Sequence, residues 1–404
     1  MNISSIIAEY NPLHKGHEYH INETKSLTKC DGIICVMSGN FVQRGEPAIL
    51  DKWSRTRMAL SSGIDLVIEL PAVYSLSSAE FFSFGSVSLL DNLGVVDSLC
   101  FGSESGKIDN LMKVAKLLQN EPVEYKIYLK EYLNLGDSFP KAREKALNKY
   151  LCNKTESDFL NISDLLKTSN NILGIEYCKS LIKLNSKITP FTVKRMGSHY
   201  NSTELSNIFS SATAIRKNIG EFKNLHLVKE HVSPSTYNIL EETAANNNFV
   251  FSDKMLNFLK YKIFTKKSDL ERIPDVKEGL HNKITKHLSA DNDYYEIVNS
   301  IKSKRYTHTR ISRILTQLFC GFEDFNIEAM RRLSCPYARV LGFNKVGLQI
   351  LKQIKQHTKI PVYTKLPKQL CDTLVLDINC TKYYSLLNSN INPMDDYKKR
   401  PIIF

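Results

Sequence analysis

Short apolar, β-branched runs recur through the first hundred residues, each followed by a segment with helical spacing. Ile3 to Glu9 reads as a buried strand and HEYHINETKSL as an amphipathic helix. Asp31 to Gly39 precedes KWSRTRMALSSG, Asp65 to Pro71 precedes SSAEFFSFGSVSLLDNLG, and VVDSLCFGSE closes the series. Runs that are continuously apolar suit strands covered on both faces, and intervening helices supply the crossovers that parallel pairing needs. An α/β fold built on a parallel sheet follows. From Lys107 to about Leu184 the pattern turns helical. The strand-like KITPFTVKRMG then leads into the helix start SSATAIRKNIG, and this unit is expected to end near Lys223. Residues 224–404 read as helix-rich and basic, with strand-like pieces such as TLVLDI.

The chain has 404 residues, enough for two or three domains. Lys and Arg outnumber Asp and Glu 54 to 42, a formal charge of +12 that suits a polyanionic partner and equally a merely solvated face. The nine cysteines are odd in number, scattered and without a CxxC pair. That argues against a disulfide framework or structural zinc and for a cytoplasmic setting. The start MNISSIIAEYNP has no charged stretch ahead of a long apolar one, and no run reaches the ~18 residues of a membrane span, so neither a secretory leader nor a membrane partner is expected.

Directly after the first strand, AEYNPLHKGHEYH carries His14, His17 and His20 at every third position. Three readings compete: a zinc site, a phosphate cradle, or the wet start of a surface helix. Zinc needs a fourth ligand and usually i, i+4 pairs. The position beyond a strand's carboxyl end favours phosphate. Pro12 fixes the chain, Gly16 removes a side chain, and His14 and His17 share the first turn beside the positive end of a helix.

Strand, turn, then His14-Lys15-Gly16-His17 resembles the HxGH signature of the nucleotidylyltransferase superfamily. Ser210-Ser211-Ala212-Thr213-Ala214-Ile215-Arg216 resembles its second signature, ISSTxIR, with Ser210 in place of Ile and Ala212 in place of the second serine. EYNPLHKGH, SGNFVQRGEPAILDKWSR, DLVIELP, FGSE, SFPKAR, SNNILGIEY, VKR and YARVLGF, taken in order, are similar to the bacterial tRNA(Met) cytidine acetate ligases over nearly the whole length.

The resemblance implies a Rossmann-like nucleotidylyltransferase unit over 1–223 with a helical insertion, acting on ATP and acetate, and a tRNA-binding region over 224–404. It implies that acetate is activated as acetyl-adenylate and passed to the wobble cytidine of elongator tRNA(Met), with Mg²⁺ expected beside ATP. Catalysis would fall to His14, His17, Arg195, Ser211 and Arg216. ATP contacts would run along Ile7, Ala8, Glu9, Tyr10, Asn11, Pro12, Leu13, His14, Lys15, Gly16, His17 and His20. Gly102, one of Asn170 and Asn171, Arg195, Ser210 and Thr213 would complete them. Gln43, Arg44 and Asp51 are candidates for acetate or the target base. Lys260, Lys262, Lys266, Lys267, Lys283, Lys286, Lys302, Lys304, Arg305, Arg310 and Arg313, interleaved with Tyr261, Phe264 and Tyr306, are candidates for tRNA. The alternative is a metabolic nucleotidylyltransferase acting on a small phosphorylated cofactor precursor, which needs little more than the first two hundred residues.

Overall fold

The computed structural model of the chain describes residues 1–152, 163–195, 209–221, 224–265, 267–290 and 293–404. The expected boundary at Lys223 and the basic residue Lys266 lie outside the described residues, as does the side chain of Lys267.

The strands are β1 (Ile3–Ala8), β2 (Gly32–Ser38), β3 (Phe41–Val42), β4 (Glu46–Pro47), β5 (Leu66–Leu70), β6 (Ser98–Ser103), β7 (Thr189–Lys194), β8 (Ala338–Phe343), β9 (Val362–Tyr363) and β10 (Ile402–Ile403). Their order in the main sheet is β10-β8-β5-β2-β1-β6-β7, with β9 paired to β8 beside β10; β3 and β4 form a separate hairpin. Every residue of β2 and β5 is buried, as their nearly unbroken apolar runs require of strands covered on both faces. Helices Lys15–Thr28, Lys52–Ser61, Ala79–Leu93 and Ser169–Lys183 connect or flank them.

All pairings in this sheet are parallel except one: β8 runs antiparallel to β5, with Leu66 opposite Phe343. Residues on both sides of position 223 therefore build a single sheet, and YARVLGF supplies one of its inner strands.

TLVLDI, read as strand-like, is helical within Asp372–Tyr384. Thr373, Leu376, Asp377, Cys380, Thr381 and Tyr384 are buried, an i, i+3, i+4 recurrence that a six-residue window is too short to reveal.

Candidate active site

Ligands of open α/β sheets bind beyond the carboxyl ends of the strands. A cavity opens there, lined by the ends of β1, β6 and β7, the starts of helices Lys15–Thr28, Ser169–Lys183 and Ala212–Gly220, and the tip of the β3–β4 hairpin. Of the residues expected at the site, Ile7, Ala8, Glu9, Tyr10, Asn11, His14, Gly16, His17, His20, Gly102, Asn170, Arg195, Ser210, Ser211, Thr213 and Arg216 line this cavity. Pro12, Leu13, Lys15 and Asn171 do not. Leu13 is fully buried in the core beneath, and Lys15 is exposed at the first helical position. Asn171 is buried with its side-chain oxygen accepting from the Ser105 amide at 3.1 Å. Asn170, which does line the cavity, donates from Nδ2 to Glu104 Oε1 at 2.7 Å.

The HKGH turn is a capping device as well as a cavity wall. His14 is the helix N-cap, and its Nδ1 accepts the Gly16 amide at 3.1 Å; His17 Nδ1 reaches back to accept the His14 amide at 3.3 Å. The two rings stack at 3.7 Å between centroids, and Tyr10 meets His17 edge-on at 5.1 Å. With both Nδ1 atoms accepting, each neutral imidazole carries its proton on Nε2, which leaves one donor per ring. Burial keeps them neutral. It lowers His14 to about 3, with Arg195 and Arg216 adding to the effect, and holds His17 well below its ordinary value. His20 is lowered to about 4 by burial and by Arg195. A Cβ on Gly16 would meet His14 Cε1 at 3.0 Å, so the absent side chain makes room for an imidazole as well as opening the cavity wall.

The second signature opens helix Ala212–Gly220, where Ser211 is the N-cap and its hydroxyl accepts from the Ala214 amide at 3.0 Å. Ser210 Oγ lies 3.1 Å from His231 Nδ1. Arg216 donates to the Asn11 carbonyl at 2.9 Å and pairs with Glu46 at 3.3 Å, which ties the two signatures together. Gly102 lies opposite Val193 in the β6–β7 ladder, and a Cβ on it would meet Arg195 Cγ at 3.3 Å.

Several lining residues escaped the sequence reading. Phe82, Phe101, Leu173, Tyr177 and Val193 give one end of the cavity apolar walls, and the rings of Phe101 and Tyr177 lie 5.4 Å apart. The i, i+4 spacing of Leu173 and Tyr177 was the available signal. Glu104 sits at the start of helix Ser169–Lys183; burial pushes its carboxyl up, but hydrogen bonds from Asn170 and the Asn171 amide bring it below its ordinary value. Fully buried Arg55 donates to the carbonyls of Leu50, Glu9, Ser38 and Gly39, and so clamps the ends of β1 and β2. Gln43 and Arg44 do line the cavity; the Gln43 amide donates to Glu9 Oε1 at 2.8 Å. Asp51 does not, because its carboxylate caps helix Lys52–Ser61 through the Trp53 and Ser54 amides.

Most of the basic residues assigned to tRNA have structural partners. Lys262 pairs with Glu323 at 2.6 Å, Arg305 with Glu278 at 2.8 Å, and Lys283 donates to the Ile301 carbonyl. Arg310 stacks on Tyr306 and donates to the Asp275 carbonyl, while the Tyr306 hydroxyl donates to the Lys277 carbonyl. Arg313 is half-buried, with Asp275 acting on it. Lys286, Lys302 and Lys304 stay exposed, as do the rings of Tyr261 and Phe264.

The family model described as HIGH Nucleotidyl Transferase matches residues 1–399. A tRNA(Met) cytidine acetate ligase of Clostridium novyi is 57% identical over 402 residues, covering 100% of this chain and 99% of that one. Its counterpart in Clostridium tetani is 51% identical with both chains fully covered. The chain belongs to the tRNA(Met) cytidine acetate ligase family. A crystal structure of Thermotoga maritima TmcAL bound with alpha-thio ATP superposes with a TM-score of 0.90 at 34% identity, covering both chains completely. The apo form of the same protein gives 0.91 at 35%. The α/β architecture with its mainly parallel sheet is thus the fold of this ligase family.

Proposed function

We propose that this chain is an ATP-dependent ligase that activates acetate as acetyl-adenylate and forms N4-acetylcytidine at the wobble position of elongator tRNA(Met). The observation that carries this reading is the meeting of the two signatures in one cavity, in a chain matched end to end by relatives of that name. An acetate oxygen attacks the α-phosphorus of ATP, a P–O bond forms, and the α–β anhydride breaks to release pyrophosphate. The cytidine N4 then attacks the acetyl carbon, a C–N bond forms, the C–O bond to AMP breaks, and N4 loses a proton.

Acetate is itself the nucleophile, so the chain supplies position and charge. The Nε2–H donors of His14 and His17, at a helix N-terminus, suit the charge that builds on the α-phosphate and leaving pyrophosphate. The Ser211 turn, Thr213 and Arg216 suit the outer phosphates. Apolar walls at Phe101 and Tyr177, with Gly102 and Asn170 beside them, suit the nucleoside. Arg195 neighbours all three histidines electrostatically and serves as a phosphate clamp. Residues 224–404 would present the tRNA.

Mg²⁺ is expected with ATP. Among the described residues no group of three or more His, Cys, Asp or Glu is placed to hold a metal, and Glu9 is the carboxylate lining the cavity. The residues present do not fit a protein cage for the ion; its ligands would be the triphosphate's own oxygens and water. Among the described residues no helix is long and apolar enough to cross a membrane, and the nine cysteines are free thiols, which suits a cytoplasmic setting. The test is a reconstituted reaction in which ATP, acetate and tRNA are omitted in turn. N4-acetylcytidine by nucleoside mass spectrometry only when all three are present is the expected result. Pyrophosphate release with a small phosphate acceptor and no tRNA would instead establish the metabolic nucleotidylyltransferase.

A further inference from the structure

The reading as a tRNA ligase, on which this inference rests, requires a nucleobase to approach the cavity from outside. The apolar lining residues Phe101, Leu173 and Tyr177 come from β6 and helix Ser169–Lys183 on one side of β1 in the sheet, whereas Gln43 and Arg44 come from the hairpin tip that follows β2 on its other side. That tip is fixed to the C-terminal region. Gly45 has φ +76°, and a Cβ on it would collide with the Arg313 backbone nitrogen; its carbonyl accepts from Thr316 Oγ1 at 2.7 Å. Helix His308–Phe319 therefore carries one wall of the site, and helix Tyr294–Ile301 packs beside it.

Two side chains of these helices lie within reach of the hairpin's charges. Tyr295 is 48% exposed although its neighbour Tyr294 is buried, and the two rings meet edge-on at 5.6 Å and 88°. Glu46 pairs with Arg216 of the cavity lining at 3.3 Å, and the charges of both reach Tyr295, so its ring lies in the neighbourhood of that ion pair without lining the cavity itself. His308, exposed at the first position of its helix, lies in the fields of Glu46, Arg44 and Lys302. Lys302 and Lys304 lie exposed between the two helices. An aromatic face anchored from behind, a neighbouring imidazole and two exposed lysines form the combination that receives an unstacked base with its flanking phosphates.

We propose that Tyr295 is the stacking platform on which the acceptor pyrimidine of the RNA substrate lands, with His308 at the edge of that base and Lys302 and Lys304 on the adjoining phosphates. The partner is single-stranded RNA, because a base can stack on an exposed ring only once it has left a helix.

Two assays on the full-length protein test this: acetate-dependent ATP–pyrophosphate exchange without RNA, and acetylation of an elongator tRNA(Met) transcript. Tyr295→Ala is expected to keep wild-type exchange while kcat/KM for tRNA falls roughly ten- to a hundredfold, and Tyr295→Phe to restore it. Lys302→Ala with Lys304→Ala is expected to raise KM for tRNA and flatten its salt dependence. Wild-type acetylation by Tyr295→Ala, or a fall in exchange and acetylation together, would overturn the platform. Exchange by the wild type with no acetylation of any tRNA would instead overturn the tRNA reading beneath it.

Discussion

His14 and His17 hold each other in place: the rings stack at 3.7 Å, and each Nδ1 accepts a backbone amide of the turn that links them. The pair is at once a helix cap and a pair of Nε2–H donors. The two roles are separable, since asparagine is as good an N-cap as most side chains yet places no donor where Nε2 stands. His14→Asn is expected to retain the wild-type melting temperature within a few degrees while acetate-dependent pyrophosphate exchange drops about a hundred- to a thousandfold. Near-wild-type exchange would make His14 a cap and nothing more.

Burial sets the acid behaviour of the same turn. His14, lowered to about 3 in the folded chain, stays neutral there while the unfolded chain takes up a proton near the ordinary histidine value. Between those limits the unfolded state binds more protons, so stability falls as pH falls from about 6.5. Urea titrations from about pH 6.5 to about 5.0 are expected to show wild type losing about 2 kcal/mol more than His14→Asn. Parallel losses in the two proteins would show that His14 is not protected from protonation.

The paired asparagines differ in position: Asn170 lines the cavity, and Asn171 holds the Ser105 amide. Asn170→Ala is expected to raise KM for ATP about three- to tenfold with little change in stability, because its side chain lines the cavity. Asn171→Ala leaves the Ser105 amide without its acceptor and is expected to lower stability by about 1–3 kcal/mol. Thermal melts beside ATP titrations separate the two, and an exchange of these phenotypes would reverse the assignment.

Gly45 and Gly136 offer a matched comparison, with φ +76° and +84°. A methyl group added to Gly136 would meet nothing within 4 Å, so Gly136→Ala is expected to lose only about 1 kcal/mol, the left-handed backbone preference alone. Gly45→Ala drives a methyl group into the backbone at Ser312 and Arg313 and is expected to lose about 3 kcal/mol or more, and tRNA acetylation with it. Equal losses in urea midpoints would mean that the hairpin tip yields freely.

The parallel strands and both signatures were legible because each is written locally. GIICVMS and LVIEL declare their burial within a few residues, and HKGH follows its strand at once. What stayed hidden was long-range. Nothing near ARVLGF says that it will run antiparallel to a strand at Leu66–Leu70, and nothing in KWSRTRMALS says that Arg55 will collect four carbonyls. The surroundings of basic side chains were hidden for the same reason: Lys262 and Arg305 count as positive charge in a composition, and only folding reveals Glu323 and Glu278 beside them. Gly16 lines the cavity as expected, and its missing side chain also leaves room for the His14 imidazole, a contact its neighbours in sequence do not announce.

The antiparallel pairing of β5 with β8 also imposes an order on biosynthesis. Emerging from the ribosome, the chain has both signature turns and five parallel strands long before Ala338–Phe343 appears. Through that interval the mostly apolar strand Leu66–Leu70 presents an uncovered hydrogen-bonding edge, the kind of surface that recruits chaperones or other nascent chains. A translation stall shortly before residue 338 would leave a polypeptide with every residue that lines the cavity and no partner for that edge of its sheet.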